Sequence, residues 1–280
     1  MPLEDDFCDI IKKARMGQGL AVGELAQKTG LPETDIAALE RGSRTPVRKE
    51  VEALAAGLGL KPAALAAIVL DGWEPEGTPA GVSVETVMGD IGGYAVKGYV
   101  VHDSGEALFV DTAYNPTAML EILQRLGLRL TGICLTHGHA DHAEGLHVIL
   151  DRWPVPVYLG RADEPLLSWR PSKERLTSPE DGRTIPVGRC TVRCLATPGH
   201  TPGGTCYRVE QGPHDICFVG DTLFAGSIGR ANPFSLYPVH LESVRRRLLT
   251  LPPRTILFPG HGPATTVAEE VAHNPFGSAA

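Results

Sequence analysis

The chain has 280 residues, which is enough for one large domain or two ordinary ones with a core that needs no disulfides. Its 42% hydrophobic and 21% charged residues exclude global disorder, and its formal net charge of −7 argues against nucleic acid or an anionic membrane as the main partner. The acidic N-terminus carries no signal-peptide pattern and no apolar run reaches the length of a membrane span. We therefore expect a soluble, cytoplasmic protein.

The hydrophobic pattern of residues 7–70 predicts a helical region, because apolar residues recur there at spacings of three and four. Gly30, Gly42 and the pair Gly57/Gly59 follow such stretches and indicate helix ends. The stretch 73–81 is rich in Gly, Pro and Glu, which is typical of a linker. We expect a helical domain at residues 1–72, the linker at 73–81 and a second domain at 82–280.

Short β-rich runs dominate the chain after the linker, and helical runs separate some of them. The predicted strands are 82–87, 94–101, 107–110, 132–136, 155–159, 191–196, 206–209, 216–219 and 255–258, and the predicted helices are 116–126, 143–153 and 240–249. This mixture predicts an α/β fold in which helices cover sheets.

Seven metal-ligand candidates each follow an apolar, strand-like run, and strand ends aim side chains rigidly into one cleft. They are His137, His139, Asp141, His142, His200, Asp221 and His261. Imidazole and carboxylate donors without a thiolate suit zinc, iron or manganese. Any one of these motifs alone is often a surface turn or a structural histidine, but four at successive strand ends are hard to obtain by chance. Seven donors are too many for one ion and enough for two ions that share a carboxylate.

The other five histidines do not share this context, and we interpret them as solvated or structural, with a functional role left open for His273 alone. They are His102, His147, His214, His240 and His273.

This ordered set resembles the metallo-β-lactamase-fold hydrolases over about residues 82–276. The stretch Gly226-Ser-Ile-Gly-Arg230 after Asp221, together with His273-Asn-Pro-Phe276, resembles the short bacterial branch of glyoxalase II, the hydroxyacylglutathione hydrolases. The resemblance implies an αββα sandwich with the site along one edge. It also implies a partition of the ligands: His137, His139 and His200 on one ion, Asp141, His142 and His261 on the other, and Asp221 bridging them.

The same resemblance implies hydrolysis of a thioester of an acylated small thiol. Two divalent ions, zinc first and iron or manganese as alternatives, would activate a bridging hydroxide for attack on the carbonyl carbon. Asp141 and Asp221 would then be catalytic, and Arg230 would clamp a substrate carboxylate or brace the metal loops. Asn232 stands where the family usually has an acidic residue. Lactonase and persulfide dioxygenase activities of the same superfamily stay open as alternatives.

Residues 8–70 resemble a Cro/repressor-type helix-turn-helix domain, on the stretches 23–31, 36–42 and 51–60. The residues that contact DNA in such domains are poorly matched in this sequence. Ala21-Val22 stands where such domains usually have Thr-Gln, and Glu33 and Asp35 begin the recognition helix. Residues 1–72 hold nine Lys or Arg and eleven Asp or Glu, where a DNA reader is usually basic.

We therefore expect weak DNA binding and a role for the helical domain in packing or in forming a homodimer. Hydrolysis is expected to survive the removal of residues 1–72. The rival hypothesis is a transcriptional regulator whose hydrolase-like half senses a metal or ligand.

Overall fold

The computed structural model describes residues 1–77, 84–210 and 215–277. Five helices form the N-terminal region, in agreement with the sequence. They are α1 (Phe7–Gly17), α2 (Val22–Thr29), α3 (Glu33–Glu40), α4 (Arg48–Leu58) and α5 (Pro62–Val69). Gly30 and Gly59 end α2 and α4 in the left-handed conformation, which costs a residue with a Cβ atom more than it costs glycine.

The first residues of the predicted linker lie against the C-terminal part of the chain. The indole of Trp73 stacks on the imidazole of His273 with 4.7 Å between ring centroids, and the backbone N–H of Glu76 donates to the carboxylate of Glu269. Residues 78–81 of the linker, and residues 82 and 83 of the first predicted strand, lie outside the described residues. The 1–72, 73–81 and 82–280 boundaries stay a prediction.

Two six-stranded sheets follow. The first contains β1 (Glu85–Ile91), β2 (Tyr94–Asp103), β3 (Glu106–Val110), β4 (Arg129–Cys134), β5 (Val157–Tyr158) and β6 (Leu176–Thr177) in that order. The second contains β7 (Thr184–Val187), β8 (Cys190–Ala196), β9 (Thr205–Val209), β10 (Ile216–Gly220), β11 (Ile256–Pro259) and β12 (Thr265–Thr266), again in sequence order across the sheet. Strands β3 to β6 are parallel, as are β10 and β11, and the other neighbours are antiparallel.

Five further helices accompany the sheets: α6 (Pro116–Leu126), α7 (Ala140–Ala143), α8 (Leu146–Arg152), α9 (Tyr237–Glu242) and α10 (Val267–His273). The helix predicted at 143–153 begins later, at Leu146, because Gly145 adopts a φ of 82° and separates α8 from α7. The helix predicted at 240–249 begins earlier, at Tyr237, and continues as a π-helical turn, Ser243–Leu248. Within the described ranges, no helix has the length and apolar character that crossing a membrane requires.

Three apolar clusters hold the layers together. One fills the space between the sheets, where Tyr99 of the first sheet meets Phe218 and Phe258 of the second. Another lies beneath α6 and α8. The third joins the N-terminal helices to the outer face of the second sheet, since Ile11 and Leu54 belong to the same buried cluster as Phe276. The result is the αββα sandwich expected from the sequence, with the N-terminal helices packed onto one side.

Candidate metal centre

All seven predicted ligands lie at the ends of strands from both sheets, so they converge on one edge of the sandwich. His137 and His139 follow β4, and α7 then carries Asp141 and His142 within one helical turn. His200 follows β8, Asp221 follows β10, and His261 follows β11. Side chains fixed at strand ends have little freedom to drift apart, which suits a preformed site.

The seven side chains form two donor groups. The first contains His137, His139 and His200; the second contains Asp141, His142, Asp221 and His261. Within each group the donor atoms lie within 4.8 Å of one another. The Nε2 atom of His200 is 3.1 Å from the Nδ1 atom of His139, so both nitrogens face the same point.

Asp221 lies between the two groups. Its Oδ2 atom is 3.6 Å from Nε2 of His200 in the first group and 3.6 Å from Nε2 of His261 in the second. Its Oδ1 atom is 3.3 Å from Nε2 of His142. The geometry therefore places this carboxylate where one side chain can reach two ions.

The outward-facing ring nitrogens of three ligands are held by acceptors. Nδ1 of His142 donates to Asp111 Oδ2 at 2.9 Å, Nδ1 of His200 to the carbonyl of Arg230 at 2.8 Å, and Nδ1 of His261 to the carbonyl of Ala95 at 2.6 Å. Because a carbonyl oxygen only accepts, Nδ1 of His200 and of His261 carries a proton, which leaves Nε2 as the nitrogen that can ligate a metal.

Six buried side-chain polar atoms of the described residues have no hydrogen-bond partner, and three of them belong to the predicted ligands: His137 Nε2, His142 Nε2 and Asp221 Oδ1. Burial lowers the pKa of His137 well below its usual value and that of His200 to about 4, so both are neutral and can ligate near pH 7. Unpaired buried polar atoms destabilise a fold, and a cation in each donor group would satisfy these three. The residues present therefore fit the metal ions that the sequence predicts.

Two functional aspartates escaped the sequence analysis. Asp111 is buried at the end of β3, binds His142, and accepts hydrogen bonds from the backbone and hydroxyl of Thr136, each at 2.7 Å. Asp163 accepts from Gly138 N at 3.2 Å and Thr201 Oγ1 at 2.6 Å, and so ties together two ligand loops. Asp111 could have been identified from the sequence, since it follows an apolar strand as the predicted ligands do. Asp163 lies in a short 3-10 helix with no such pattern.

A pocket opens above the two donor groups. Arg230, Phe224, Ile91 and Tyr94 line it together with the ligands. Arg230 is exposed and forms no ion pair with any residue that the structure describes, so its guanidinium is available to a ligand in the pocket.

Of the other histidines, His214 is outside the described residues, and the remaining four belong to neither donor group. His102 and His147 are exposed, and His273 stacks on Trp73. His240 is buried and donates to the carbonyl of Thr222 at 2.8 Å, which is a structural role.

Comparison with known proteins gives two family matches in this chain. Residues 91–261 match the metallo-beta-lactamase superfamily, and residues 10–68 match a helix-turn-helix domain. The probable metallo-hydrolase YqgX of Bacillus subtilis is 30% identical over 66% of this chain and 94% of its own length.

Two solved structures are similar in fold. The BLEG-1 B3 metallo-beta-lactamase aligns with a TM-score of 0.60 and 30% identity over 69% of this chain and 99% of its own. TTHA1623, solved in a di-iron-bound form, aligns with a TM-score of 0.59 and 31% identity over 70% of this chain and 100% of its own. The fold of this family implies divalent metal binding, which agrees with the His/Asp cluster.

Proposed function

The chain belongs to the metallo-β-lactamase superfamily of metal-dependent hydrolases, and we propose that it is a dinuclear enzyme that cleaves a thioester of an acylated small thiol. The observation that carries the proposal is the pair of donor groups that share Asp221, with unpaired donor atoms buried in both. A sensor that had lost its chemistry would have no need to keep a complete ligand set of this kind.

Two divalent ions held by these groups would polarise the substrate carbonyl and lower the pKa of a bound water. His137, His139 and His200 would hold the first ion, Asp141, His142 and His261 the second, and Asp221 both. Asp141 lies at the pocket wall with its Oδ2 atom 3.3 Å from His261 Nε2. From there its carboxylate can accept a hydrogen bond from the attacking water and orient it.

We propose zinc as the resident metal, because imidazole and carboxylate donors that leave a position open to water suit catalytic zinc. Iron is the competing assignment, since the similar protein TTHA1623 was solved in a di-iron-bound form. Metal analysis of protein purified without added metal decides between them and counts the ions per chain. Two ions support the proposal. One ion in a fully loaded preparation, with His142 and His261 free, contradicts it.

The thioester assignment rests on the arrangement of residues 226–230. The backbone N–H of Gly229 donates to the carbonyl of Asp221 at 3.1 Å, and the carbonyl of Arg230 accepts from His200, so this stretch holds Arg230 at the site. A guanidinium there can bind a carboxylate on the thiol part of the substrate. A thiolate also leaves without a strong general acid, which removes the need for a further catalytic residue.

A substrate panel tests this assignment. Thioesters, lactones, β-lactams and persulfides are offered to the metal-loaded protein, and we expect thioesters to be hydrolysed fastest. His139→Ala should abolish that activity, because the first ion loses a ligand, whereas His147→Ala at an exposed position should not. If lactones or persulfides are turned over and thioesters are not, the alternative activities replace this one.

A second candidate function, DNA binding, is favoured by the helix-turn-helix match at residues 10–68. We propose that this binding is weak. Arg44 pairs with Glu50 and lies 3.8 Å from Asp35, and Arg48 pairs with Asp71, so these basic side chains are neutralised within the region itself. A selection against random DNA duplexes at moderate salt should return no consensus sequence.

We also propose that the protein forms a homodimer. Light scattering on the same protein tests this proposal.

A further inference from the structure

The N-terminal helical region reaches the pocket above the donor groups. Glu4, Asp5 and Lys13 belong to its wall, together with Phe224 and Arg230. Residues from a region that matches a DNA-binding fold therefore lie beside the place where a substrate would bind.

Lys13 and Asp5 form a largely buried ion pair, which we name the bracing pair. The Nζ atom of Lys13 lies 2.5 Å from Asp5 Oδ2, and only 17% and 8% of the two side chains are exposed. The same ammonium donates to the carbonyl of Ile228 at 3.0 Å and lies 5.2 Å above the ring of Phe224. Asp5 also accepts from the hydroxyl of Ser227. A buried pair with both ends hydrogen-bonded has little freedom to move.

The stretch that the bracing pair holds is residues 226–230, which we name the bridging loop. Gly226 lies against the region too, because a Cβ atom there would come within 2.9 Å of Ile68 and 3.0 Å of Trp73. At its other end the loop contacts two ligands: Gly229 bonds to the carbonyl of Asp221, and Arg230 bonds to His200. The loop thus connects the helical region directly to the metal centre.

We propose that Lys13 and Asp5 are positioning residues for hydrolysis: they fix the bridging loop so that Arg230 selects a substrate carrying a carboxylate. The inference rests on the proposed function. The pocket wall contains two cationic side chains, Lys13 and Arg230. Asp5 neutralises Lys13, so Arg230 is the one that is free to bind an anion. Lys13 acts on the substrate through the position of Arg230 and makes the helical region part of the specificity machinery.

The test uses the full-length, metal-loaded chain with Lys13→Met, the conservative Lys13→Arg and the control Lys12→Met, whose side chain is exposed on the same helix. Two thioesters of similar size are compared, one with a carboxylate on the thiol part and one with a neutral amide there. We expect Lys13→Met to raise KM for the charged thioester on the order of tenfold, the size of a lost hydrogen bond to a charged group, with a smaller change in kcat. Lys13→Arg should restore most of the loss, and Lys12→Met should match the wild type.

Together with Arg230→Met, the double variant Lys13→Met/Arg230→Met completes a double-mutant cycle. If Lys13 acts through Arg230, the double variant is no worse on the charged thioester than Arg230→Met alone. Additive effects would overturn the proposal. So would an equal rise in KM for the neutral thioester.

Amide hydrogen exchange of residues 226–230 gives a readout that needs no substrate. Lys13→Met should speed exchange in the bridging loop while the strands of the second sheet keep their protection. Asp5→Asn serves as a second variant if Lys13→Met does not fold. Unchanged loop exchange in the folded variants overturns the bracing role. A wild type that cleaves no thioester defeats the proposed function instead and leaves the exchange result to decide this one.

Discussion

Asp111 holds His142 in one orientation, and its own backbone conformation and burial are energetically unfavourable. Its φ of 57° is in the left-handed region that favours glycine, and its carboxylate is almost fully buried. Such a conformation persists only where surrounding contacts fix it, and Asp111 has three. The side chain therefore orients a proposed metal ligand, and among the members of the two donor groups it forms a hydrogen bond with His142 alone.

Replacing this carboxylate should weaken the second ion. Asp111→Asn keeps the shape but turns one acceptor into a donor that faces Thr136 or His142. We expect metal affinity to fall roughly 10- to 100-fold, the usual effect of losing a hydrogen bond to a ligating histidine. Competition with a chromophoric chelator measures the change, and Asp151→Asn, at an exposed position on α8, is the control. Equal affinities in the two variants would show that Asp111 does not orient His142.

His240 makes stability depend on pH with a definite sign. Burial lowers the pKa of its imidazole from 6.5 to about 3. Between pH 6.5 and pH 3 the imidazole binds a proton in the unfolded chain but not in the folded chain. The contribution of His240 to folding stability is therefore fully present above pH 6.5 and is lost as the pH falls toward 3. The free energy of unfolding should drop by about 1.4 kcal/mol per pH unit from this group.

Urea unfolding across that range tests the effect. His240→Gln retains a side-chain donor for the carbonyl of Thr222 and should reduce the pH slope by the equivalent of one proton. His102→Gln, at an exposed position, should leave the slope at its wild-type value. An identical slope in all three proteins would mean that His240 does not contribute.

At the scale of elements, the bridging loop is confined on both sides. An ideal Cβ atom on Gly229 would lie 2.0 Å from the carbonyl oxygen of Asp221 and 2.9 Å from Nδ1 of His200. Backbone cannot yield as a flexible side chain can, so any substituent here moves two metal ligands. The absence of a side chain is what lets the loop approach the centre this closely.

Gly229→Ala should therefore lower hydrolysis by on the order of 100-fold, since small displacements of catalytic groups have effects of that size. Steady-state kinetics on the metal-loaded protein measures it. Gly23→Ala is the matched control, because its Cβ atom meets only the carboxylate end of Glu33 and alanine favours the helix α2. A fully active Gly229→Ala would show that the loop does not constrain the ligands.

The sequence predicted the elements that depend on local pattern. Apolar alternation and its end at a polar residue located β4, β8, β10 and β11, and hence the ligands, because strand ends are encoded in consecutive residues. The strands β6, β7 and β12 were missed, since β6 and β12 are each two residues long, too short for alternation to show, and β7 is a four-residue run that contains Pro186. The break between α7 and α8 was missed because it depends on the position of Gly145 against Pro116, and periodicity cannot reveal such a contact.

The whole molecule is organised around a core that its two halves share. Ile11, Leu54 and Leu65 of the helical region lie in the same buried cluster as Tyr237 and Phe276. The backbone N–H of Lys61 donates to the carbonyl of Pro275 at 2.9 Å, and the Lys61 ammonium donates to the carbonyl of Val271. The linker pattern suggested separable domains, but these contacts span it.

Removing residues 1–72 should therefore lower the thermal midpoint by many degrees or leave the remainder insoluble, because apolar surface on α9, α10 and the second sheet becomes exposed. This reverses the expectation that hydrolysis survives the deletion. Calorimetry and the soluble yield measure the effect. Glu33→Ala, at an exposed position on α3, is the control for a change within the region. A soluble truncated chain with wild-type melting and activity would restore the original expectation.

The shared core also sets an order for biosynthesis. The ribosome releases α1 to α5 before Phe276 and α10, against which they pack, leave the exit tunnel. A nascent chain of intermediate length must carry the outer face of the helical region uncovered through most of translation, although that region has an apolar centre of its own in Ile10, Ile36 and Leu54. Chains stalled before α10 should accordingly be retained by chaperones that bind exposed apolar surface, and release should coincide with completion of the C-terminal helix.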